Sequence, residues 1–180
     1  MSEDELQGVK NRSGGANPLW QFAKGYYGHR ENTKHLLNLQ EEEGADVLLL
    51  LTALWLLYAG CELDDTSLPL QLNDYQTIRD DMIEPLRSVR KKLGSINKDE
   101  LYQDAKELEI GLEKRGFEVI YQSIDRSGIL LKRPVDKDFG LDNFRSAYIN
   151  LALKTGRAFR ESSENPSWSY LLNTLKSFSV

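Results

Sequence analysis

The chain has 180 residues, of which 40% are hydrophobic and 28% charged, which is typical of a globular protein with one core. Its formal net charge of -5 excludes a general electrostatic attraction to nucleic acid or to an anionic membrane. The single cysteine, Cys61, excludes an internal disulfide, and the N-terminus lacks the apolar stretch of a secretory signal, so we expect a cytoplasmic protein.

The first 43 residues predict a polar arm followed by two helices. Residues 1–16 are polar and contain glycine and serine, so we expect a disordered arm. Asn17 and Pro18 supply an N-cap and a first helical residue for a helix that reaches about Tyr27. A second helix is predicted over residues 31–43. The residues predicted to face inward are Leu19, Trp20, Phe22, Ala23, Tyr26, Leu36 and Leu39.

The next segment, residues 47–59, is apolar except at Thr52 and Tyr58. At ~1.5 Å per residue it is about 20 Å long, which is too short for the ~30 Å hydrocarbon core of a membrane. Asp46 and Gly60 stand where an N-cap and a C-terminal glycine are expected. A short helix that is apolar on every side is typical of the centre of a soluble bundle. We therefore predict a central helix over residues 46–59.

Two further helices are predicted after a loop. Asn73 and Gln76 resemble a capping box that opens the fourth helix, and Pro85 is expected to kink that helix without ending it. Its apolar positions follow helical spacing at Tyr75, Ile78, Met82, Leu86, Val89 and Leu93. Asn97 and Glu100 repeat the capping pattern and open the fifth helix. One face of that helix is predicted to carry Leu101, Ala105, Leu108, Leu112 and Val119.

The last part of the chain predicts a loop, a sixth helix and an amphipathic tail. The period breaks near residues 125–138, and a helix follows over residues 142–153 with its inner side at Phe144, Tyr148 and Leu151. Asn165 and Pro166 start the tail helix, whose apolar residues are Trp168, Leu171, Leu172, Leu175 and Phe178. Together these elements predict an all-α single compact bundle of about six or seven helices around residues 46–59. We assign residues 17–153 to the bundle domain and 154–180 to a C-terminal extension.

Candidate catalytic and metal-binding residues are scarce. Only His29 and His35 could serve as a catalytic base, and neither lies in a recognisable nucleophile motif. Glu31 and His35 could share a helical face as metal ligands, but a metal site needs three or four ligands. We predict no catalytic residue, no metal site and no cofactor.

Basic residues line one side of the fourth helix, at Arg79, Arg87 and Arg90 or Lys91. Several arginines on one helix can bind phosphate or carboxylate groups. They can also pair with acids of neighbouring helices, such as Asp46 and the run Glu41, Glu42 and Glu43. The acidic balance of the chain favours the second interpretation.

Three motifs resemble a family of small helical bacterial proteins, known mainly from proteobacteria, that is defined as a domain of unknown function. The motifs are NPLWQFAKGYY, LLNLQEEEGADVLLLLTALWL and IEPLRSVRKKL, and NFRSAYINLAL fits the last helix of the family. The family pattern usually has a polar residue after Asp-Val, where this chain has Leu48. The resemblance implies a cytosolic bundle and brings no established activity or cofactor.

The positions that match the family motif supply the candidate site. Trp20 and Trp55 are expected to fill the core. Asp46 is expected to cap the central helix, and pairing with Arg87 is a further option. Gln40 has no evident packing role. The candidate polar cluster, for binding or for structure, is Gln40, Asp46, Arg87 and Arg90.

Two classes of function remain open. The first is a non-enzymatic interaction or regulatory protein, which would hold a protein partner through an exposed helix or through residues 166–178. The second is a small-molecule binding protein or enzyme, with an inter-helix pocket near Gln40, Asp46 and Arg87 for an anionic or amphipathic ligand. We expect neither nucleic acid as a partner nor a transmembrane segment.

Overall fold

The computed structural model describes residues 17–61, 70–129, 140–156 and 164–178. These contain seven helices, which confirms the predicted all-α bundle. They are α1 Pro18–Gly28, α2 Arg30–Glu43, α3 Val47–Tyr58, α4, α5 Glu100–Ser127, α6 Leu141–Leu153 and α7 Pro166–Ser177. Helix α4 is continuous but has three parts, Asn73–Ile78, a π turn at Arg79–Ile83, and Glu84–Ile96. The predicted arm, residues 1–16, lies outside the described residues.

Helix α3 is the centre of the bundle, as predicted. Every residue from Val47 to Leu57 is buried, and α3 contacts α1, α2, α5, α6 and α7. The Asp46 side chain accepts hydrogen bonds from the first free backbone N–H groups of the helix. Gly60 ends it in the left-handed region at φ 72°, which glycine adopts without steric cost. The two ends are therefore set by the residues that the sequence indicated.

The tryptophans differ in how deeply they pack. Trp55 is buried on α3, which confirms its predicted place in the core. Trp20 is only partly buried on α1 and packs at the edge of the core, with its ring centroid 5.8 Å from that of Phe117. Trp168 on α7 is buried between α6 and α2.

Two of the four predicted asparagine caps are confirmed and two are wrong. The side chain accepts a backbone N–H bond at both Asn-Pro starts, Asn17 and Asn165. At α4 the cap position is taken by Leu72, which is fully buried, so its burial sets the start and Asn73 is already helical. At α5 the cap is Asp99, because Asn97 is extended and ends α4. The Asp99 side chain accepts from the Tyr102 N–H at 3.2 Å.

The π turn explains why the predicted apolar stripe of α4 is wrong beyond Ile78. The Glu84 N–H bonds to the Arg79 carbonyl five residues back, which adds one residue to that turn. We attribute the turn to Pro85, which has no N–H to donate and whose ring clashes with the carbonyl four residues back in a regular helix. The extra residue rotates everything after it by about 100°.

Each inward position after the π turn is consequently one residue later than predicted. Ile83 is buried where Met82 was expected, and Met82 is exposed. Arg87 and Arg90 face α5 where Leu86 and Val89 were expected. The turn thus leaves Met82 and Val89 of the predicted stripe exposed and brings Arg87 and Arg90 into the contact with α5.

The second part of α4, Glu84–Ile96, has no buried residue and contacts only the π turn and α5 among the described elements. It forms an antiparallel hairpin with residues 100–112 of α5, and we call these two segments the hairpin. On α5, Ala105 is buried as predicted, whereas Leu101 and Leu108 are exposed, so their predicted inward placement is wrong. The inward position between Ala105 and Leu112 is held by Glu109, which is buried.

Gly116 and Gly111 of α5 lie in opposite environments, and substitution should have opposite consequences. A Cβ at Gly116 would lie 2.9 Å from Leu48 Cδ2 and 3.2 Å from Tyr75 Cε2, whereas one at Gly111 would meet nothing within 4 Å. We expect Gly116→Val to lower the free energy of unfolding by about 2–3 kcal/mol through overpacking. Gly111→Val should leave it within ~0.5 kcal/mol of the unsubstituted protein. Urea unfolding followed by circular dichroism measures both, and equal effects would contradict the close packing at Gly116.

Candidate functional site

The first polar cluster surrounds Asp46 at the start of α3. The Asp46 carboxylate accepts hydrogen bonds from the backbone N–H of Leu48 at 3.0 Å and of Leu49 at 3.3 Å. It also accepts from the Tyr75 hydroxyl, which lies 2.8 and 2.9 Å from its two oxygens. The Asp46 backbone N–H donates to the Tyr148 hydroxyl of α6 at 2.9 Å. Asp46, through its carboxylate and its backbone N–H, therefore connects α3, α4 and α6.

Arg79 completes this cluster from the π turn. Its Nη1 lies 3.6 Å from Asp46 Oδ2 and donates to the Thr155 hydroxyl at 2.9 Å, while Nη2 donates to the Thr155 carbonyl at 3.2 Å. Its Nε donates to Asp80 at 2.7 Å. Burial lowers the pKa of Arg79, but the Asp80 hydrogen bond and the Asp46 charge outweigh it and raise the pKa above its ordinary value. The guanidinium stays charged and all three of its nitrogens have partners.

The second polar cluster holds the two helices of the hairpin together. Arg87 donates to Glu109 at 2.9 Å, to Glu113 at 2.8 Å and to Glu84 at 3.1 Å. Arg90 donates to the other oxygen of Glu109. Glu109 is buried and accepts from both arginines, so it is the centre of the cluster.

Burial and the neighbouring arginines determine the pKa values of the two α5 acids in this second cluster. Burial alone would raise the pKa of Glu109, but the hydrogen bonds from Arg90 and Arg87 bring that pKa below its ordinary value. Burial raises the pKa of Glu113 despite the opposing charge of Arg87. Arg87 and Arg90 are thus neutralised by acids of their own chain and are poor candidates for binding an external anion.

The predicted polar cluster is divided between these two places. The structure brings Arg87 and Arg90 together on Glu109, whereas Asp46 pairs with Arg79, two turns before Arg87. Gln40 is half-buried on α2, and its side chain makes no hydrogen bond within the part of the chain described. Arg87 and Arg90 pair with Glu84 of α4 and with Glu109 and Glu113 of α5, and not with the run at residues 41–43.

Three partners in these clusters were not expected from the sequence. Glu109 could have been found, because it follows Ala105 by four residues and precedes Leu112 by three, which is an inward position of a helix. Tyr75 and Tyr148 were expected only as core residues, and no local pattern indicates that their hydroxyls meet the same residue. His35, considered as a metal ligand, stacks on Tyr170 of α7 with ring centroids 4.0 Å apart.

The hairpin, together with Met82 of the π turn that precedes it, also carries a row of exposed apolar side chains on each helix. On α4 they recur every seven residues, and on α5 two are seven residues apart, so each row lies on one side of its helix. Their exposed fractions range from 48% to 83%, at Met82, Val89, Ile96, Leu101 and Leu108.

Both rows lie on the same side of the hairpin. Val89 and Leu108 each precede an inward residue, Arg90 and Glu109 respectively, by one position, which is about 100° of rotation in the same sense. Because the helices are antiparallel, this rotation carries both side chains to one side. A Cβ at Gly94 would lie 2.9 Å from the Tyr102 ring, which sets the register.

This register places residues of the two helices at matching heights along the hairpin. Ile96 lies level with Leu101, and Val89 lies level with Leu108. The five exposed residues lie on one side of the two helices, and we call them together the hairpin face.

Other features of the described residues give less support for a functional site. A shallow depression of about 250 Å³ lies between the start of α4 and the end of α5. Its lining is polar and contains none of the predicted site residues: Gln71, Asn73, Asp74, Ser123, Arg126 and Ser127. No group of three or more His, Cys, Asp or Glu side chains is placed to hold a metal ion within the ranges described. None of the described helices is long and apolar enough to cross a membrane.

The chain matches the model of a known protein family. A protein family described as Protein of unknown function (DUF2390) matches residues 18–120, a span that includes α1 to α4, most of α5 and the whole hairpin face. No curated protein and no solved structure matches the chain.

Proposed function

The chain belongs to the DUF2390 family of proteins of unknown function, and within that family we propose that it is a non-enzymatic interaction protein that binds another protein through the hairpin face. The observation that supports this proposal is the exposure of five large apolar side chains on one side of a hairpin. Burial of apolar surface is worth about 25 cal/mol per Å², so leaving this surface in water is costly. Contiguous exposed apolar patches are typical of interaction sites.

The arrangement of the hairpin face favours a helical protein surface over a lipid surface. A seven-residue repeat of apolar side chains is the spacing with which helices pack against helices. An amphipathic surface that binds anionic lipid is usually flanked by basic residues. Here the α4 side is flanked by the basic Lys92, but the α5 side is flanked by the acidic Asp104 and Glu107, which would repel such a membrane.

The hairpin supports this role better than the C-terminal helix does. Helix α7 was the other predicted partner-binding element, but its apolar side is buried on its own bundle, at Trp168, Leu171, Leu172 and Leu175. The alternative of a ligand pocket near Gln40, Asp46 and Arg87 also has less support. Asp46 and Arg87 bond to different partners within the chain, and the depression described above includes neither.

Site-specific photo-crosslinking in cells tests the proposed function. A photoreactive amino acid in place of Val89, or separately of Leu108, should form covalent adducts with protein. The matched control is Leu153 of α6, which is 68% exposed but lies outside the hairpin, and it should give little adduct. Mass spectrometry of the adducts identifies what was bound.

The result has two clear outcomes. Protein adducts from Val89 and Leu108 that exceed those from Leu153 support the proposal. If neither hairpin position exceeds the control, or if both react only with lipid, a protein-binding role for the hairpin face is wrong.

A further inference from the structure

We propose that the protein bound by the hairpin face is a second copy of this chain, so that two hairpins form a symmetric four-helix bundle. This inference rests on the proposed function, because it uses the same face. It is carried by a further property of the hairpin, which is that its two helices have opposite charge.

The charges are divided sharply between the two helices. Residues 84–98 contain one acid, Glu84, and five bases: Arg87, Arg90, Lys91, Lys92 and Lys98. Residues 99–113 contain one base, Lys106, and six acids: Asp99, Glu100, Asp104, Glu107, Glu109 and Glu113. A surface made of one basic and one acidic helix is complementary to itself when each helix lies on the opposite helix of a second copy.

Only part of this charge is neutralised within one chain. Arg87 and Arg90 are paired with Glu109, as described above. Lys92 and Asp104 are exposed, and neither forms an ion pair with another described residue. The rotation of about 100° per residue places Lys92 at the outer edge of α4 and Asp104 at the outer edge of α5. They are therefore on opposite edges of the hairpin face and too far apart to pair with each other.

Symmetry decides which helices meet. A two-fold axis parallel to the hairpin places α4 of one subunit on α5 of the other, and the two run antiparallel. A two-fold axis across the hairpin instead places α4 on α4 and α5 on α5, where like charges face each other and disfavour association. The charge distribution therefore selects the parallel axis.

The parallel axis also predicts one specific contact. Rotation about it leaves each residue at its own height along the hairpin. Lys92 is level with position 105 of α5, because Ile96 is level with Leu101. Its ammonium group is thereby brought to Asp104 of the partner subunit at the rim of the apolar contact, and symmetry makes this contact twice.

The size of the face sets the expected affinity. From Met82 to Ile96 the row is about 21 Å long at 1.5 Å per residue, and two adjacent helices are about 20 Å wide. These dimensions enclose about 420 Å² per partner, roughly half of the ~800 Å² that each partner buries in a standard specific interface, which is the size of a weak or transient contact. We therefore expect a reversible dimer with a Kd on the order of 10 µM.

Reversing the charges of Lys92 and Asp104, separately and together, tests the proposal in solution. Sedimentation velocity of the full chain should show a concentration-dependent dimer. Lys92→Glu and Asp104→Lys should each raise the Kd at least about tenfold, because both copies of the contact then join like charges. A one-to-one mixture of the two variants should recover the dimer, since both contacts in the mixed pair join opposite charges. The two substitutions in one chain should also recover it.

The control variant is Lys176→Glu, which makes the same charge change as Lys92→Glu at an exposed position of α7 and should leave the Kd unchanged. Among the described elements, α7 contacts neither α4 nor α5. Both hairpin substitutions are at exposed positions, and unchanged helical circular dichroism verifies that the fold is retained. The proposal is overturned if the chain remains monomeric at about 200 µM, well above the expected Kd. It is also overturned if the mixture associates no better than the separate variants.

These failures are distinguishable from failure of the proposed function. If Val89 crosslinks to a different protein while the purified chain is monomeric, the hairpin face still binds protein and only the identity of the partner is wrong. If Val89 and Leu108 crosslink to nothing above the Leu153 control, both proposals fail together.

Discussion

Replacing Asp46 by alanine should lower the free energy of unfolding by about 3–5 kcal/mol, because it removes one partner from a buried ion pair. The Arg79 side chain, only 5% exposed, would keep its charge and would have Asp80 alone as its carboxylate partner. The Tyr75 hydroxyl would lose its acceptor, and two N–H groups at the start of α3 would lose theirs. Urea unfolding followed by circular dichroism measures the loss.

The matched control for this experiment is Asp99→Ala. Asp99 also caps a helix, but it is exposed and pairs with no arginine, so its loss should cost only about 1 kcal/mol. Asp46→Asn keeps an oxygen that can cap α3 while removing the charge, and should fall between the two. If Asp46→Ala costs no more than Asp99→Ala, the buried pair does not contribute to stability beyond the cap.

Replacing Trp168 by alanine should lower the free energy of unfolding by about 3–5 kcal/mol, as expected for loss of a buried tryptophan. Its ring packs against Phe144 and Tyr148 of α6 at centroid distances of 5.1 and 5.5 Å. Its Nε1–H donates to the buried Glu43 carboxylate at 3.1 Å. The residue thus joins α7, α6 and α2, and its loss should loosen α7 from the bundle, which limited proteolysis detects.

Two variants separate the packing of Trp168 from its hydrogen bond. Trp168→Phe keeps most of the ring volume but leaves Glu43 without this donor, so it should cost about 1–3 kcal/mol. Trp20→Ala removes a tryptophan that is only partly buried and should cost clearly less than Trp168→Ala. Equal losses at Trp20 and Trp168 would show that α7 is not held by this contact.

Features that depend on local chemistry could be predicted from the sequence. Asp46 and Gly60 set the ends of the central helix because an N-cap acceptor and a left-handed glycine act on their own neighbours. The apolar surface of that helix on every side also identified it as central. Asn17 and Asn165, each followed by proline, were identified for the same local reason.

Features that depend on two distant segments could not be predicted in the same way. The apolar residues of α4 follow regular helical spacing in the sequence, so their pattern does not indicate a π turn. Pro85 alone does not show how the chain accommodates the missing N–H. We expected Arg87 to pair with Asp46 or with the acids at the end of α2. The pairing depends on which helix lies beside α4, and that helix is α5. Burial of Leu72 against the core likewise overrode the cap at Asn73.

The π turn has a consequence for how this surface could arise. The turn contains one residue more than a regular helix requires, and that single residue decides whether Val89 or Arg90 points at α5. The insertion or deletion of one residue can therefore change which side of α4 is exposed, without the addition of any hydrophobic residue. In this protein the capacity to associate would then depend on how α4 is rotated about its axis, and not on additional hydrophobic residues.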